Sequence, residues 1–335
     1  MRPVYDSHCY RELLHWALTN PPYGKAALAT AYISHSECHK HDTGRDHPEN
    51  ARRLSAIEDQ FVATGLANVL RYCDAPEASD AQLLRVHTNG HLETVKSTTL
   101  DQGYARLDPD TVVSADTPQA ARRAAGAVIA AVDFVVSGEM ASAFCGVRPP
   151  GHHAESDKAM GFCIYNNIAV GAAHALEQHE LQRIAIVDFD VHQGNGTEEM
   201  FKDDNRVLFC STFQHPFFPF TPLLENAANR VNVPLEAGAT STEFRAAVSN
   251  QWLPALENFQ PEMIFISAGF DAHKDDDMSY VNLTDADFLW VTEQIVQVAK
   301  NSASGRIVSV LEGGYELNSL ARCVDTHIRV LMDLH

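Results

Sequence analysis

The sequence lacks what several protein classes require. Its seven cysteines (Cys9, Cys38, Cys73, Cys145, Cys163, Cys210 and Cys323) are odd in number and scattered, with no Cys-x-x-Cys pair. That pattern argues against a disulfide framework and against a cysteine-ligated zinc, and it fits a reducing cytosol, with Cys145, Cys163 and Cys210 read as core filler. No run approaches the roughly 18 apolar residues of a membrane span. The N-terminal segment is interrupted by Asp6, His8, Glu12 and His15, so it lacks the apolar stretch of a signal peptide, and a cytoplasmic protein is expected. Internal repeats and Pro/Gly/Ser-rich linkers are missing too, so nothing marks a domain division. Basic residues are scarce: 25 Lys and Arg stand against 44 Asp and Glu, a formal net charge of −19, with no basic cluster. Such a chain repels phosphate backbones and anionic membranes, so neither nucleic acid nor membrane is expected as a direct partner. A cationic substrate is compatible with this charge, although general solubility explains it as well.

What is present is an ordinary globular composition, 45% hydrophobic over 335 residues, with ample chain for a core. Short apolar or β-branched runs alternate with longer helical patterns, which predicts an α/β fold: a mostly parallel sheet with helices on both faces. Strands are expected at Thr30–Ser34, Val69–Cys73, Ala141–Val147, Arg183–Asp188, Arg206–Ser211, Met263–Ser267 and Arg306–Leu311. Helices are expected at Glu49–Thr64, Pro118–Val136, Asn167–Glu177, Thr242–Leu256, Thr284–Lys300 and Leu317–Met332. Ser241 before Glu243, and Thr284 before Asp287, look like capping-box starts. Residues 1–29 read as an extension and 30–335 as one domain. The loops after the strands are rich in Gly, His and Asp, notably Arg148–Phe162, Phe189–Gly196, Phe213–Pro222, Gly269–Asp277 and Glu312–Tyr315. In an open parallel sheet such loops gather at the carboxyl ends of the strands, where chemistry is to be sought.

Four segments carry that chemistry. The run Ile184–Gly196 ends a buried strand in Asp188, Asp190 and His192, which alternate and so share one face while the chain is extended. Asp190 and His192 can then converge on one cation; the competing reading is that the carboxylates cap the next helix and His192 satisfies backbone groups. Several ionisable groups at a buried strand end are costly unless paired or metal-bound, which favours the first. Met263–Ser267 delivers Asp271 to the same edge, and Asp, His and Asp suit a zinc site that keeps a place for water. An exposed loop Asp is the plain alternative when Asp271 is read alone. His152 and His153 follow two prolines on a third loop and can divide proton removal and electrostatic support. Tyr315, on a glycine turn after a fourth strand, can donate to a developing oxyanion.

Together, Arg148–His153, Gly161-Phe162-Cys163, Asp188–Gly196, Ser267–Ala272 and Glu312–Tyr315 resemble the histone deacetylase superfamily, on the arginase-like α/β fold. The motif order matches across nearly the whole chain from about Thr30, and the wording is closest to the class IIb branch and its bacterial histone deacetylase-like amidohydrolases. The resemblance implies that Asp190, His192 and Asp271 bind zinc, that His153 is general base and then general acid, and that His152 assists electrostatically. It implies that Tyr315 polarises the scissile carbonyl and that Asp188 orients His152. Asn195 stands where class I enzymes carry Asp and class II enzymes carry Asn. Gly151, Gly161, Phe162, Phe218 and Met278 would meet substrate, with Phe217 in place of Phe218 if the register is off by one. Structural potassium would involve Asp188, Asp190, His192, Ser211 and Thr212, largely through backbone oxygens. The implied activity is zinc-dependent hydrolysis of an N-ε-acyl-lysine amide in a peptide, or of another small acylated amine. An acetylpolyamine deacetylase is the alternative; its relatives place a gatekeeper Glu where this chain has Met278, although Asp275, Asp276 and Asp277 lie beside it. A two-manganese ureohydrolase would need further carboxylates near Asp271, where Ala272 and His273 stand. A non-catalytic acyl-lysine binding module would have lost some of these groups. Oligomeric state is left open.

Overall fold

The computed structural model describes residues 29–334. Among the described residues there are ten strands: β1 Thr30–Ser34, β2 Arg71–Asp74, β3 Ala105–Arg106, β4 Val112–Val113, β5 Ser142–Cys145, β6 Ile184–Asp188, β7 Val207–Gln214, β8 Arg230–Leu235, β9 Met263–Ala268 and β10 Ile307–Leu311. Eight form one sheet in the order β2-β1-β5-β10-β9-β6-β7-β8, and every pair in it is parallel. β5, β6, β9 and β10 are buried throughout, as central parallel strands covered on both faces must be.

Two helix layers cover the sheet. In β10, Ser309 bonds His327 of the Leu317–Leu331 helix (Oγ to Nε2, 2.9 Å), and its register partner is Ile266. The preceding residue, Phe265, faces Gly171 of the Asn167–Gln178 helix instead. Successive strand residues point to opposite faces, so these helices lie on opposite sides of the sheet. Thr117–Val136 packs beside Asn167–Gln178, while Arg52–Thr64 and Asp285–Ser302 flank Leu317–Leu331.

The seven strands expected from sequence are present, with β7 running three residues further, so Phe213 and Gln214 are strand rather than loop. β8 was not expected, because Pro234 interrupts its apolar run; it is the edge strand, where a missing N–H is tolerated. The β3–β4 hairpin is too short to leave a pattern. The expected helix at Thr242–Leu256 is three pieces, Ser241–Ala247, a π-turn at Val248–Trp252 and Leu253–Phe259. Its N-cap is Thr240, not Ser241, in a capping box with Glu243. Thr284 and Asp287 form the expected box. Glu49 precedes its helix, which starts at Arg52. The extension assigned to residues 1–29, including Cys9, Asp6, His8, Glu12 and His15, lies almost entirely outside the described residues. Among the described residues there is no disulfide, and no helix is long and apolar enough to cross a membrane.

Gly126 fixes how closely the Thr117–Val136 helix approaches residues 75–78. A Cβ there would collide with the Pro76 carbonyl, and Ala78 is held in place by N–H donation to Arg122 O at 3.0 Å. Gly126→Ala is expected to lower unfolding free energy by about 1–3 kcal/mol in urea titration. An unchanged midpoint would show that the 75–78 segment yields.

Candidate active site

Five neighbouring strands, β5, β10, β9, β6 and β7, send their following loops to one edge, and the polar groups singled out in the sequence meet there. Asp190 and His192 leave β6, and Asp271 leaves β9, whose register pairs Asp188 with Ser267. His192 Nδ1 lies 3.0 Å from Asp190 Oδ1 and 3.1 Å from Asp271 Oδ2. One ligand atom from each of the three residues falls within 4.8 Å of the others. The backbone holds both carboxylates by their remaining oxygens: Gly313 N–H donates to Asp190 Oδ2 (2.8 Å) and Val191 N–H to Asp271 Oδ1 (3.0 Å). Glycine is required at 269 and 313, where a Cβ would strike the Asp190 and Asp271 carboxylates.

This arrangement suits a divalent cation. Asp271 Oδ2 is buried and accepts no hydrogen bond of good geometry, despite its closeness to His192. Asp188, Asp190, Asp271 and Glu312 are four buried carboxylates on one strand edge, an arrangement that costs free energy unless positive charge is supplied. Burial pushes Glu312 up to about 7, and burial with the Asp190 charge raises Asp271. Against the effect of burial, Asp190 and Asp188 raise His152. His153 moves the other way: burial first, and then the neighbouring His152 and His192 imidazoles, hold it well below the usual imidazole range.

The tandem histidine rings lie 4.0 Å apart between centroids, tilted at 45°, but have different partners. His152 Nδ1 lies 3.0 Å from Asp188 Oδ2, and His153 Nδ1 lies 2.8 Å from Asn195 Oδ1. Ser211, the register partner of Asp188, has a buried Oγ with no hydrogen-bond partner, and Thr212 beside it is also buried. A buried hydroxyl without a partner beside Asp188 leaves one acceptor free for a water or an ion at the other end of the same charged cluster.

Beside His192 lies a cavity of about 190 Å³, lined by Asp110, His153, Gly161, Phe162, His192, Phe217, Phe218, Met278 and Tyr315. Phe218 meets His153 edge-on at 5.1 Å, while Phe217 stacks on His192 at 5.6 Å, so both candidate aromatics border it. Gly161 and Phe162 are both left-handed, at φ 57° and 66°, a conformation unusual for phenylalanine. Their N–H groups donate to Asp110 Oδ1 and Thr111 Oγ1, each at 3.1 Å, which holds the Phe162 ring against the cavity. Gly151 is not on the wall; its N–H donates to Glu312 Oε2 at 2.7 Å. Burial pushes the Tyr315 phenol well above its ordinary range, so it remains a donor.

Several residues that shape this site were not singled out by sequence, or, like Asp276, were read only as charge beside Met278. Asp110 follows no strand motif and reaches the wall from the β3–β4 turn. Asp276 is buried, and its carboxylate accepts from the N–H groups of Tyr315 (2.6 Å), Glu316 (2.9 Å) and Met278 (3.0 Å). It thereby ties the β10 loop to the cavity rim. Behind Tyr315, Arg53 donates to Gly314 O (2.6 Å) and Glu312 O (2.5 Å) and lies over the phenol ring at 4.9 Å. Glu49 bridges Arg53 and Arg148, with all three side chains fully buried. Sequence offered no signal for these roles, because Glu49, Arg53 and Asp276 sit among other charged residues and look like any solvated charge.

Neutralising Glu49 would leave Arg148 and Arg53 buried without their counter-charge. Glu49→Gln is expected to cost about 3–5 kcal/mol in chemical denaturation. Burial would raise the Glu49 carboxyl, but Arg148 and His41 hold it well below the usual range. Its contribution is therefore complete above the unfolded carboxylate pKa of about 4.3 and falls as pH drops through the lower folded value. The stability gap between wild type and variant should narrow with acidification; a gap independent of pH down to acid unfolding would contradict the pairing.

The histone deacetylase domain family matches residues 47–331. The histone deacetylase-like amidohydrolase of Pseudomonas aeruginosa is 36% identical, over 91% of this chain and 80% of that protein. Histone deacetylase 5 of Arabidopsis thaliana is 35% identical over 88% of this chain, which spans only 47% of that longer relative. The crystal structure of the HDA15 HD domain superposes with a TM-score of 0.85 at 31% identity, covering 91% of this chain and 90% of that one. With the parallel sheet and the convergent Asp, His and Asp groups, these likenesses establish that the chain belongs to the histone deacetylase family of amidohydrolases.

Proposed function

We propose that this chain is a zinc-dependent, class II deacetylase that hydrolyses the N-ε-acyl amide of lysine side chains in peptides. The observation that carries the reading is the narrow aromatic cavity lined by His153, His192 and Tyr315, with His192 gathered against the buried carboxylates of Asp190 and Asp271. Those three residues would hold zinc; when bound, it supplies a Lewis acid for the amide oxygen and lowers the pKa of water toward about 7. Ser211, Thr212 and the backbone around Asp188, Asp190 and His192 would hold potassium.

The chain's own groups account for the remaining steps. Phe162 and Phe218 flank an aliphatic stem and exclude water from the amide. His153, kept neutral by its surroundings, takes the proton of the attacking water and then delivers it to the leaving amine. His152, held against Asp188, stays charged and supports the transition state electrostatically. The Tyr315 hydroxyl donates to the carbonyl oxygen as negative charge builds there. Asn195, in place of a carboxylate, agrees with the class II reading. A cytoplasmic location is part of the proposal and agrees with the free cysteines among the described residues.

Substrate preference follows from the rim. Asp276 points inward to three N–H groups, so it is not free to meet a cationic tail, and Asp275 has Arg322 within 3.9 Å. Met278 lies on the wall where a gatekeeping carboxylate would be needed. This favours acyl-lysine over acetylpolyamine. Tyr315→Phe is expected to lower kcat for an acetyl-lysine peptide about 10²- to 10³-fold with little change in KM. Full turnover by that variant would refute the oxyanion role. A large preference for acetylated polyamines over acetyl-lysine peptides, measured as kcat/KM, would move the assignment to polyamine deacetylation.

A further inference from the structure

We propose that Glu155 is a positioning residue for the reaction: it fixes the Asn195 amide so that oxygen, not nitrogen, faces His153. The inference rests on the general-base reading of His153. Asn195 Oδ1 lies 2.8 Å from His153 Nδ1, and Asn195 Nδ2 donates to Glu155 Oε1 at 2.7 Å. The same NH₂ faces two weaker acceptors, Met160 Sδ at 3.4 Å and His153 O at 3.5 Å. The two ends of an asparagine amide are nearly identical in size and differ in polarity. A half-turn of the group would set NH₂ against His153 Nδ1, move the ring proton to Nε2 and remove the basic lone pair.

A carboxylate only accepts, so Glu155 opposes that half-turn, which would place the amide oxygen against its own. With the amide fixed, Nδ1 of neutral His153 carries the proton and Nε2 stays free on a ring that lines the cavity. Glu155 is itself anchored. Its N–H donates to Lys158 O at 3.0 Å, its carbonyl oxygen lies 3.1 Å from His87 Nδ1, and Lys158 Nζ sits 3.1 Å from Oε2. An aspartate at 195 would need no such guide, because both of its oxygens accept. The Glu155 carboxylate would then face a second carboxylate and act against the site.

The test is a four-member cycle of the zinc-loaded protein: wild type, Glu155→Gln, Asn195→Asp and the double variant. Each is read by ¹⁵N NMR of the His153 ring and by kcat/KM on an acetyl-lysine peptide. A glutamine amide can donate as well as accept, so Glu155→Gln should mix the His153 tautomers and lower kcat/KM about 10- to 100-fold. Adding Glu155→Gln to Asn195→Asp should instead raise kcat/KM. A purely structural role predicts equal losses in both backgrounds, and that result, or an unchanged His153 tautomer in Glu155→Gln, overturns the proposal. Glu155→Ala is the second variant should Glu155→Gln not fold, with the same expectations. If wild type turns over no acyl-lysine the general-base reading fails, while the NMR comparison still decides whether Glu155 sets the amide.

Discussion

The arrangement depends on one electrostatic constraint: four carboxylates are buried at the carboxyl edge of the central strands, and their charge must be answered inside the protein. Burying even one unpaired carboxylate costs several kcal/mol, on the order of the whole net stability of a domain. Each neighbouring feature answers part of that cost. Glu312 takes the Gly151 and His152 N–H groups, Asp190 takes Gly313 N–H, and Asp188 takes His152. What remains is a cluster with Asp271 Oδ2 unpaired and His192 Nδ1 between two carboxylates, which a divalent ion would complete.

The second layer explains how such a cluster is kept in place. The β10 loop that carries Tyr315 is gripped from two sides, by Arg53 on the carbonyls of Glu312 and Gly314 and by Asp276 on the N–H groups of Tyr315 and Glu316. Arg53 in turn depends on Glu49, which also binds Arg148 at the start of the histidine loop. One buried carboxylate thus links the loop bearing Tyr315 to the loop bearing the histidines. Precise placement of catalytic groups requires this kind of support, because a site misplaced by about 1 Å loses much of its rate.

Much of this was legible in the sequence because central parallel strands must be apolar and the groups at their ends must be useful. Asp188, Asp190 and His192 stand out against Ile184–Val187, as do Asp271 after Met263–Ser267 and Tyr315 after Ile307–Leu311. The edge was harder to read. β8 hides its pattern behind Pro234, and the π-turn at Val248–Trp252 leaves helical periodicity almost untouched. Supporting groups such as Glu49, Arg53 and Glu155 show only ordinary i,i+4 and i,i+3 charge pairs locally, while their other partners, Arg148, Gly314 and Asn195, are distant in sequence, and a buried ion pair looks like any solvated charge until the fold closes over it. Phe217 and Phe218 could not be separated by register, and both border the cavity.

The account stands on the affinity of Asp190, His192 and Asp271 for a single divalent ion. Equilibrium dialysis of the chelator-stripped protein against zinc, with metal content read by mass spectrometry, tests this most directly. One tightly held zinc per chain is expected in the wild type, lost in Asp271→Asn while the protein stays folded by circular dichroism. Wild type that retains no zinc, or an Asp271→Asn variant that retains it with undiminished affinity, would contradict the central claim.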